Sequence, residues 1–260
     1  MKITAAVKRP DTETFGLEEV ELDAPRDDEV LVKIAGVVSA VGAKVTDDIP
    51  LELVGPLRCG IQTGVGGIIN SLGATPGSSI IITGGGPVGL SAVMGAVIQS
   101  CSTIILLEPQ AARRAFASEL GATHTLDPAS VESLSAAVRE IVPMGVDYAF
   151  DTTGIPDVLD GLMNCLGSKG TLGVVGITPP DASFPGNMSQ AMSLGHTVKG
   201  IIEGDSDPKT FIPQMLAYHR AGKLPFDKMI KTYPMSQINE AIAEQHAGGC
   251  IKAVLVPDGA

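Results

Sequence analysis

The chain has 260 residues, enough for one large domain or one full domain with an appendage, which excludes a peptide-sized or disulfide-dependent scaffold. Apolar residues make up 44% of it and charged ones 18%, a balance that excludes a disordered chain, and with 6 Phe, 3 Tyr and no Trp the interior falls to aliphatic and small side chains. The 18 basic and 29 acidic residues give a net charge of −11 without a basic run to neutralise a phosphate backbone, so nucleic acid is excluded as a partner.

In chain order, the first fifty residues alternate as strands at 3–7, 20–22 and 30–38, with turns at Pro10, Pro25 and Asp27-Asp28. A helix is predicted over 51–72, opened by Pro50 and closed by Gly73 and Pro76. Strands at 79–83, 103–107, 123–126, 146–150, 171–176 and 197–201 then alternate with helices at 88–100, 110–120, 130–140, 156–166 and 208–221, and a Pro/Gly-rich passage covers 179–186. A tail of strand 229–233, helix 236–246 and strand 250–256 follows. Such alternation predicts an α/β fold with a doubly wound parallel sheet, helices on both faces.

From Cys59 to Leu107 the chain has no Asp, Glu, Lys, Arg or His, yet Gly84, Gly85, Gly86 and Pro87 interrupt it and its apolar segments have strand length. Buried parallel strands are expected there, and no membrane span. The start, MKITAAVKRP, lacks the apolar run of a signal peptide, and Cys59, Cys101, Cys165 and Cys250 lie far apart without a C-x-x-C pair. Both features lead us to expect a cytoplasmic protein.

Directly after strand 79–83 comes TGGGPVGLSA, in which Gly84, Gly86 and Gly89 form G-x-G-x-x-G at a strand-to-helix junction. The first glycine permits a tight turn, the second lets backbone approach a pyrophosphate, and the third lets helix pack against strand; the helix N-terminus offers N–H groups to the anion. Nineteen residues after Gly89 stands Glu108, where an acid accepts both adenosine ribose hydroxyls and repels a 2′-phosphate, favouring NAD over NADP. Arg113 counters that preference by offering a 2′-phosphate a partner, or else stacks on adenine. The competing reading is a glycine-rich turn that only packs a sheet.

The segments IPLELVGPLRCGIQTG (49–64), TGGGPVGLSAVMGA (83–96), SELGATH (118–124), GVDYAFDTTG (145–154), KGIIEGDS (199–206) and IKAVLVP (251–257) resemble the medium-chain dehydrogenases/reductases, in the branch of zinc-type aryl- or benzyl-alcohol dehydrogenases. The resemblance implies a Rossmann-type dinucleotide-binding domain over 51–225, and a truncated GroES-like remnant formed by 1–50 with 226–260. It implies that Gly84, Gly86 and Gly89 hold the pyrophosphate and Glu108 the adenosine ribose, that Thr63 and Val88 lie against the nicotinamide, and that Val175 and Ile201 offer backbone to its carboxamide. Lys252 stands where relatives place an arginine near the pyrophosphate, and Cys59 where they place a catalytic-zinc ligand. It also implies a homodimer or higher homo-oligomer through edge-strand pairing near 197–201.

The departure from that family is as informative. Members carry a Cys-His pair, a Gly-His-Glu motif and a four-cysteine lobe, whereas here IAGVVSAVGAKVTDDIPLE runs almost directly into the cofactor domain, no histidine precedes His124, and Cys59 is the only cysteine in the first hundred residues. Catalytic zinc needs three converging protein ligands. We therefore expect neither catalytic nor structural zinc, read Asp47, Asp48 and Glu52 as a solvated face, and expect Cys59 to be a small buried residue.

Hydride transfer without zinc needs another way to carry charge developing on oxygen. Thr63 is the candidate donor and His196 the candidate general acid, while His246 reads as a helix end, Tyr148 as core, and Asp205 or Ser206 as the N-cap of the helix before Pro208. Zinc-free relatives in the wider family reduce quinones or conjugated double bonds, where charge is delocalised. The expected function is thus NAD(H)-dependent, zinc-independent hydride transfer to or from an aromatic or conjugated carbonyl substrate. The alternatives are a lyase or isomerase reusing the pocket, and a cofactor-binding protein without turnover.

Overall fold

The computed structural model describes residues 2–10, 12–21 and 49–258, so the strand expected at 30–38 lies outside the described residues. The chain divides into two compact units, one of Leu57–Lys228, the other of the preceding described residues together with those from Met229 onward.

The larger unit is built on six parallel strands: β3 (Ser79–Thr83), β4 (Thr103–Leu107), β5 (His124–Leu126), β6 (Val146–Asp151), β7 (Leu166–Val174) and β8 (Thr197–Gly200). Their order across the sheet is β5-β4-β3-β6-β7-β8, the order of a doubly wound dinucleotide-binding sheet, with the reversal of winding between β3 and β6. All five residues of β3, SIIIT, are buried, as a strand covered on both faces requires.

Alternate residues serve opposite faces. Ile81, Ile105, Ala149 and Leu172 cluster with Val138 of α5 (Leu134–Ile141) and with Leu159, Leu162 and Met163 of α6 (Pro156–Cys165). The ring of Phe150 lies on the other face against Gly67, where an added Cβ would come within 2.5 Å of it. On that face α2 (Gly60–Gly66) packs on α3 (Pro87–Ile98) through Gly64, whose hypothetical Cβ would lie 2.2 Å from the Val88 carbonyl oxygen. Close helix approach here depends on glycine.

The single helix expected over 51–72 is instead α1 (Leu51–Val54), a 3-10 turn (Gly55–Arg58), α2 and a π-helical turn (Gly67–Leu72). Pro56 cannot donate a backbone hydrogen bond and Gly55, Gly60, Gly64, Gly66 and Gly67 weaken helix propagation, which explains the breaks. Gly73, at φ +60°, ends the run in the left-handed conformation.

Three further differences have local causes. Helix α7 (Met188–Leu194), unexpected from the sequence, is N-capped by the Asn187 side chain and closed by Gly195 at φ +67°. Helix α8 (Pro208–Arg220) is N-capped by Asp207, whose side chain accepts from the Lys209 N–H, and not by Asp205 or Ser206; Asp205 pairs with Lys199 at 3.1 Å. Strand β7 starts at 166 rather than 171, with a register shift opposite Val146 and Tyr148. Helix α4 (Ala111–Glu119) and the span Cys59–Leu107 otherwise follow the expected alternation, and among the described residues no helix is long and apolar enough to cross a membrane.

In the smaller unit, β1 (Lys2–Val7) pairs antiparallel with β2 (Gly16–Glu21), and β9 (Ile230–Pro234) pairs parallel with β10 (Lys252–Val256). Helix α9 (Ile238–His246) contributes Ala241 to a small core with Tyr233 and Cys250. The Asn239 amide joins the pieces, accepting from the Phe15 N–H and donating to the Phe15 carbonyl, both at 2.9 Å. Around that core Glu244 accepts from Lys231 and, at 2.8 Å, from the Tyr233 hydroxyl; these two partners hold its carboxyl below the ordinary value.

Candidate dinucleotide site

The winding reverses between β3 and β6, and the loop Gly84–Gly86 leading into α3 lies at the carboxyl ends of the strands there, the position at which doubly wound sheets bind ligands. Gly84, at φ +88°, has Thr152 Oγ1 where a Cβ would stand, 2.5 Å away; a Cβ on Gly89 would lie 1.8 Å from the Gly84 carbonyl oxygen. Gly85 is confined as well, by Glu108 Oε2 at 2.9 Å and Arg113 Cβ at 3.2 Å. Gly86 differs: its φ of −81° is open to any residue, and nothing lies within 4 Å of a Cβ built there. The protein itself needs Gly84, Gly85 and Gly89, while Gly86 keeps a cradle clear at a helix N-terminus. That combination fits a dinucleotide pyrophosphate.

Glu108 ends β4's extension at 4% exposure. Its Oε2 accepts from the Gly85 N–H at 2.5 Å and its Oε1 from the Gln110 N–H at 2.8 Å. A carboxylate has about four lone-pair sites, so acceptor capacity for ribose hydroxyls remains. Arg113 is half-buried, its Cβ against Gly85 and its Nε buried without a partner. The neighbouring Arg114 is committed elsewhere, to the carbonyls of Glu108 and Pro109, both at 2.7 Å, and to Asp127 at 3.0 Å.

Thr63 is buried within α2, and Val88 is half-buried in the first turn of α3 beneath Gly64 and Gly60. Val175 and Ile201 follow β7 and β8: the Val175 N–H donates to Asp151 and the Ile201 N–H to Val174, both at 2.9 Å. Thus Gly84, Gly86, Gly89, Val88, Glu108, Arg113, Val175 and Ile201 all stand at the carboxyl side of the sheet. Lys252 opens β10 in the smaller unit.

His196 is different. It stands before β8, at the opposite end of that strand from Ile201, and both its ring nitrogens are buried without partners. The catalytic role expected for it is set aside on that placement.

Cys59 is exposed at the start of α2, not buried as expected, because the turn ending at Arg58 carries it outward. Among the described residues no group of three His, Cys, Asp or Glu side chains converges as metal ligands. The stretch 22–48 contains neither His nor Cys, and Cys59 and Cys101 are the only residues of either type before His124, where catalytic zinc takes three protein ligands from Cys, His, Asp or Glu.

Sequence reasoning missed Asp151. Its side chain is fully buried; Oδ1 accepts from Thr83 Oγ1 at 2.6 Å, Thr153 Oγ1 at 2.7 Å and the Thr153 N–H at 3.1 Å, and Oδ2 accepts from the Gly154 N–H at 2.8 Å. Only the segment GVDYAFDTTG, singled out for its resemblance, carried a signal.

Comparison with known proteins agrees with this fold. Residues 87–217 match the family model described as zinc-binding dehydrogenase. A geraniol dehydrogenase of Castellaniella defragrans is 49% identical over 223 residues, covering 86% of this chain and 59% of the relative. Among solved structures, an alcohol dehydrogenase zinc-binding domain protein from Burkholderia ambifaria superposes with a TM-score of 0.80 at 46% identity, over 83% of this chain and 58% of that one. Benzyl alcohol dehydrogenase from Acinetobacter calcoaceticus gives 0.79 at 38% identity, over 83% and 59%. The chain therefore spans under two thirds of the length of these relatives.

Proposed function

The chain belongs to the zinc-binding dehydrogenase family, and from that premise we propose that it is an NAD(H)-dependent oxidoreductase of the medium-chain type that works without zinc. Its substrate would be a small aromatic or conjugated carbonyl compound, an alcohol/aldehyde pair, a quinone or an enone. The carrying observation is Gly86, which faces open space in a loop whose other glycines are filled by the protein's own atoms.

In this reading the N–H groups of the Gly84–Gly86 loop and the first turn of α3 bind the pyrophosphate, and Glu108 takes the adenosine ribose. Backbone at Val175 and Ile201 orients the carboxamide, with Thr63 and Val88 against the ring. Bound nicotinamide supplies the hydride. Thr63 is the available hydroxyl donor toward the substrate oxygen; since a hydroxyl stabilises an alkoxide less than a divalent cation does, a substrate that delocalises its own charge suits the site. Names of relatives, geraniol and benzyl alcohol dehydrogenases, lead to the same substrate class.

A second copy of the chain is the expected partner. Exposed Ile177, Phe184, Met188, Met192 and Ile202 lie in the segment around β8, which ends the sheet among the described residues.

The test is titration with NADH and NADPH, followed by nicotinamide fluorescence, on protein of measured zinc content. Saturable binding that favours NADH and is unchanged after chelation supports the proposal. Absence of binding, or binding that disappears with chelation, overturns it.

A further inference from the structure

We propose that Asp151 is a positioning residue that holds the phosphate loop and the nicotinamide-facing segment at a set separation; this rests on the cofactor reading above. Three segments meet at this residue, two at its carboxylate and the third at its backbone carbonyl. Through Thr83 it grips the last residue of β3, next to Gly84, and through the N–H groups of Thr153 and Gly154 it shapes the turn after β6. Its backbone carbonyl accepts from Val175 at 2.9 Å and Gly176 at 3.2 Å, the segment after β7.

Neighbouring contacts leave these segments little freedom. Thr152 Oγ1 donates to the Thr83 carbonyl at 2.6 Å and fills the space beside Gly84. A Cβ on Gly176 would lie 2.0 Å from the Gly154 nitrogen, and one on Gly154 would lie 2.2 Å from the Ile177 carbonyl oxygen. The turn that Asp151 shapes is therefore the surface on which residues 176–177 rest. A displacement of the carboxylate moves the pyrophosphate side and the nicotinamide side relative to each other.

The chemistry at 151 is specific to a carboxylate, because each oxygen accepts from a backbone N–H that cannot reverse its role. An asparagine of the same shape directs an NH2 at Gly154 or at Thr153, so one buried donor faces another and one backbone N–H loses its acceptor. The adenosine half of the cofactor depends instead on Glu108 and the end of β4.

The experiment measures NADH and AMP affinity of the full chain for the unmodified protein, Asp151→Asn, Thr83→Val and Thr83→Ser. Expected is about a tenfold rise in the NADH dissociation constant for Asp151→Asn and Thr83→Val, recovery to within about twofold in Thr83→Ser, which keeps the hydroxyl, and AMP affinity within about twofold throughout. Thr83→Val and Thr83→Ser keep the test informative if Asp151→Asn does not fold. Undiminished NADH binding in Thr83→Val and Asp151→Asn overturns the inference, and so does an equal loss of AMP and NADH binding, which marks a general structural role. An unmodified chain that binds no NADH overturns the cofactor reading itself, a result distinguishable from either.

Discussion

Gly89 and the carbonyl of Gly84 are packed so closely that a β-carbon on Gly89 would stand 1.8 Å from the Gly84 oxygen, whereas the same carbon on Gly86 would meet nothing within 4 Å. Within the G-x-G-x-x-G run the protein's own packing thus requires glycine at 89, in the first turn of α3, and not at 86, where only the proposed cofactor would. Gly89→Ala must push α3 away from the loop and is expected to cost about 3 kcal/mol, lowering the melting temperature by roughly 6–12 °C. Gly86→Ala is expected to stay within about 0.5 kcal/mol of the unmodified chain while weakening NADH about tenfold or more. Thermal unfolding paired with NADH titration checks both, and equal melting temperatures for the two variants would contradict the packing argument.

The second prediction concerns cofactor choice at Glu108. Its carboxylate is fixed by the Gly85 and Gln110 N–H groups, so its charge sits at a defined point beside the loop. A 2′-phosphate there meets a like charge, with Arg113 as the only nearby compensation proposed. Glu108→Gln removes the charge at nearly constant volume and should narrow the ratio of NADPH to NADH dissociation constants by about tenfold. A ratio unchanged in the variant would remove Glu108 from the specificity argument.

How much of this was readable in advance depends on sequence distance. The glycines and Glu108 fall within one strand–loop–helix–strand unit, where local spacing reports geometry, and the parallel, doubly wound sheet followed from the alternation of apolar runs with helices, though not the order of its strands. The role of Asp151 was hidden because Thr83 lies 68 residues away and the two meet only once β3 and β6 pair. The need for glycine at 85 was hidden for a related reason, since the Glu108 side chain that confines it returns from the next strand. Helix α7 was missed although its caps, Asn187 and Gly195, are visible, because proline and glycine just before it suggested a loop. Cys59 was misjudged on its residue type: burial statistics favour an interior cysteine, but a broken helix exposes this one.

Exposure of Cys59 makes a third prediction, about thiols and zinc together. Cys165 and Cys250 are buried and the half-buried Cys101 thiol is pushed up mainly by burial, so a thiol reagent near pH 8 should titrate one of the four cysteines rapidly and all four after denaturation. Mass spectrometry should place the fast label on Cys59. On the proposed zinc-independent function, micromolar zinc should leave that labelling rate unchanged. Protection of Cys59 by zinc would show a metal site and defeat the zinc-independent reading.

The last prediction is a loss of stability in alkali that traces to Cys165. Burial pushes this thiol from its ordinary 9.0 up to about 12, against a smaller opposing effect of Arg139, and its Sγ donates to the Gly161 carbonyl at 3.2 Å. The folded chain keeps the proton while the unfolded chain releases it near the ordinary value. The unfolded state therefore binds fewer protons between about pH 9 and 12, and by linkage the unfolding free energy falls as pH rises through that window. Below the ordinary thiol value the contribution is fully present. Urea unfolding under reducing conditions should show a steeper decline above pH 9 for the unmodified chain than for Cys165→Ala, which carries the same lysines and tyrosines but no thiol at this position. Parallel declines for the two would mean that the thiol ionises as readily folded as unfolded, and the tight packing of α6 on β6 and β7 would not be what excludes the charge.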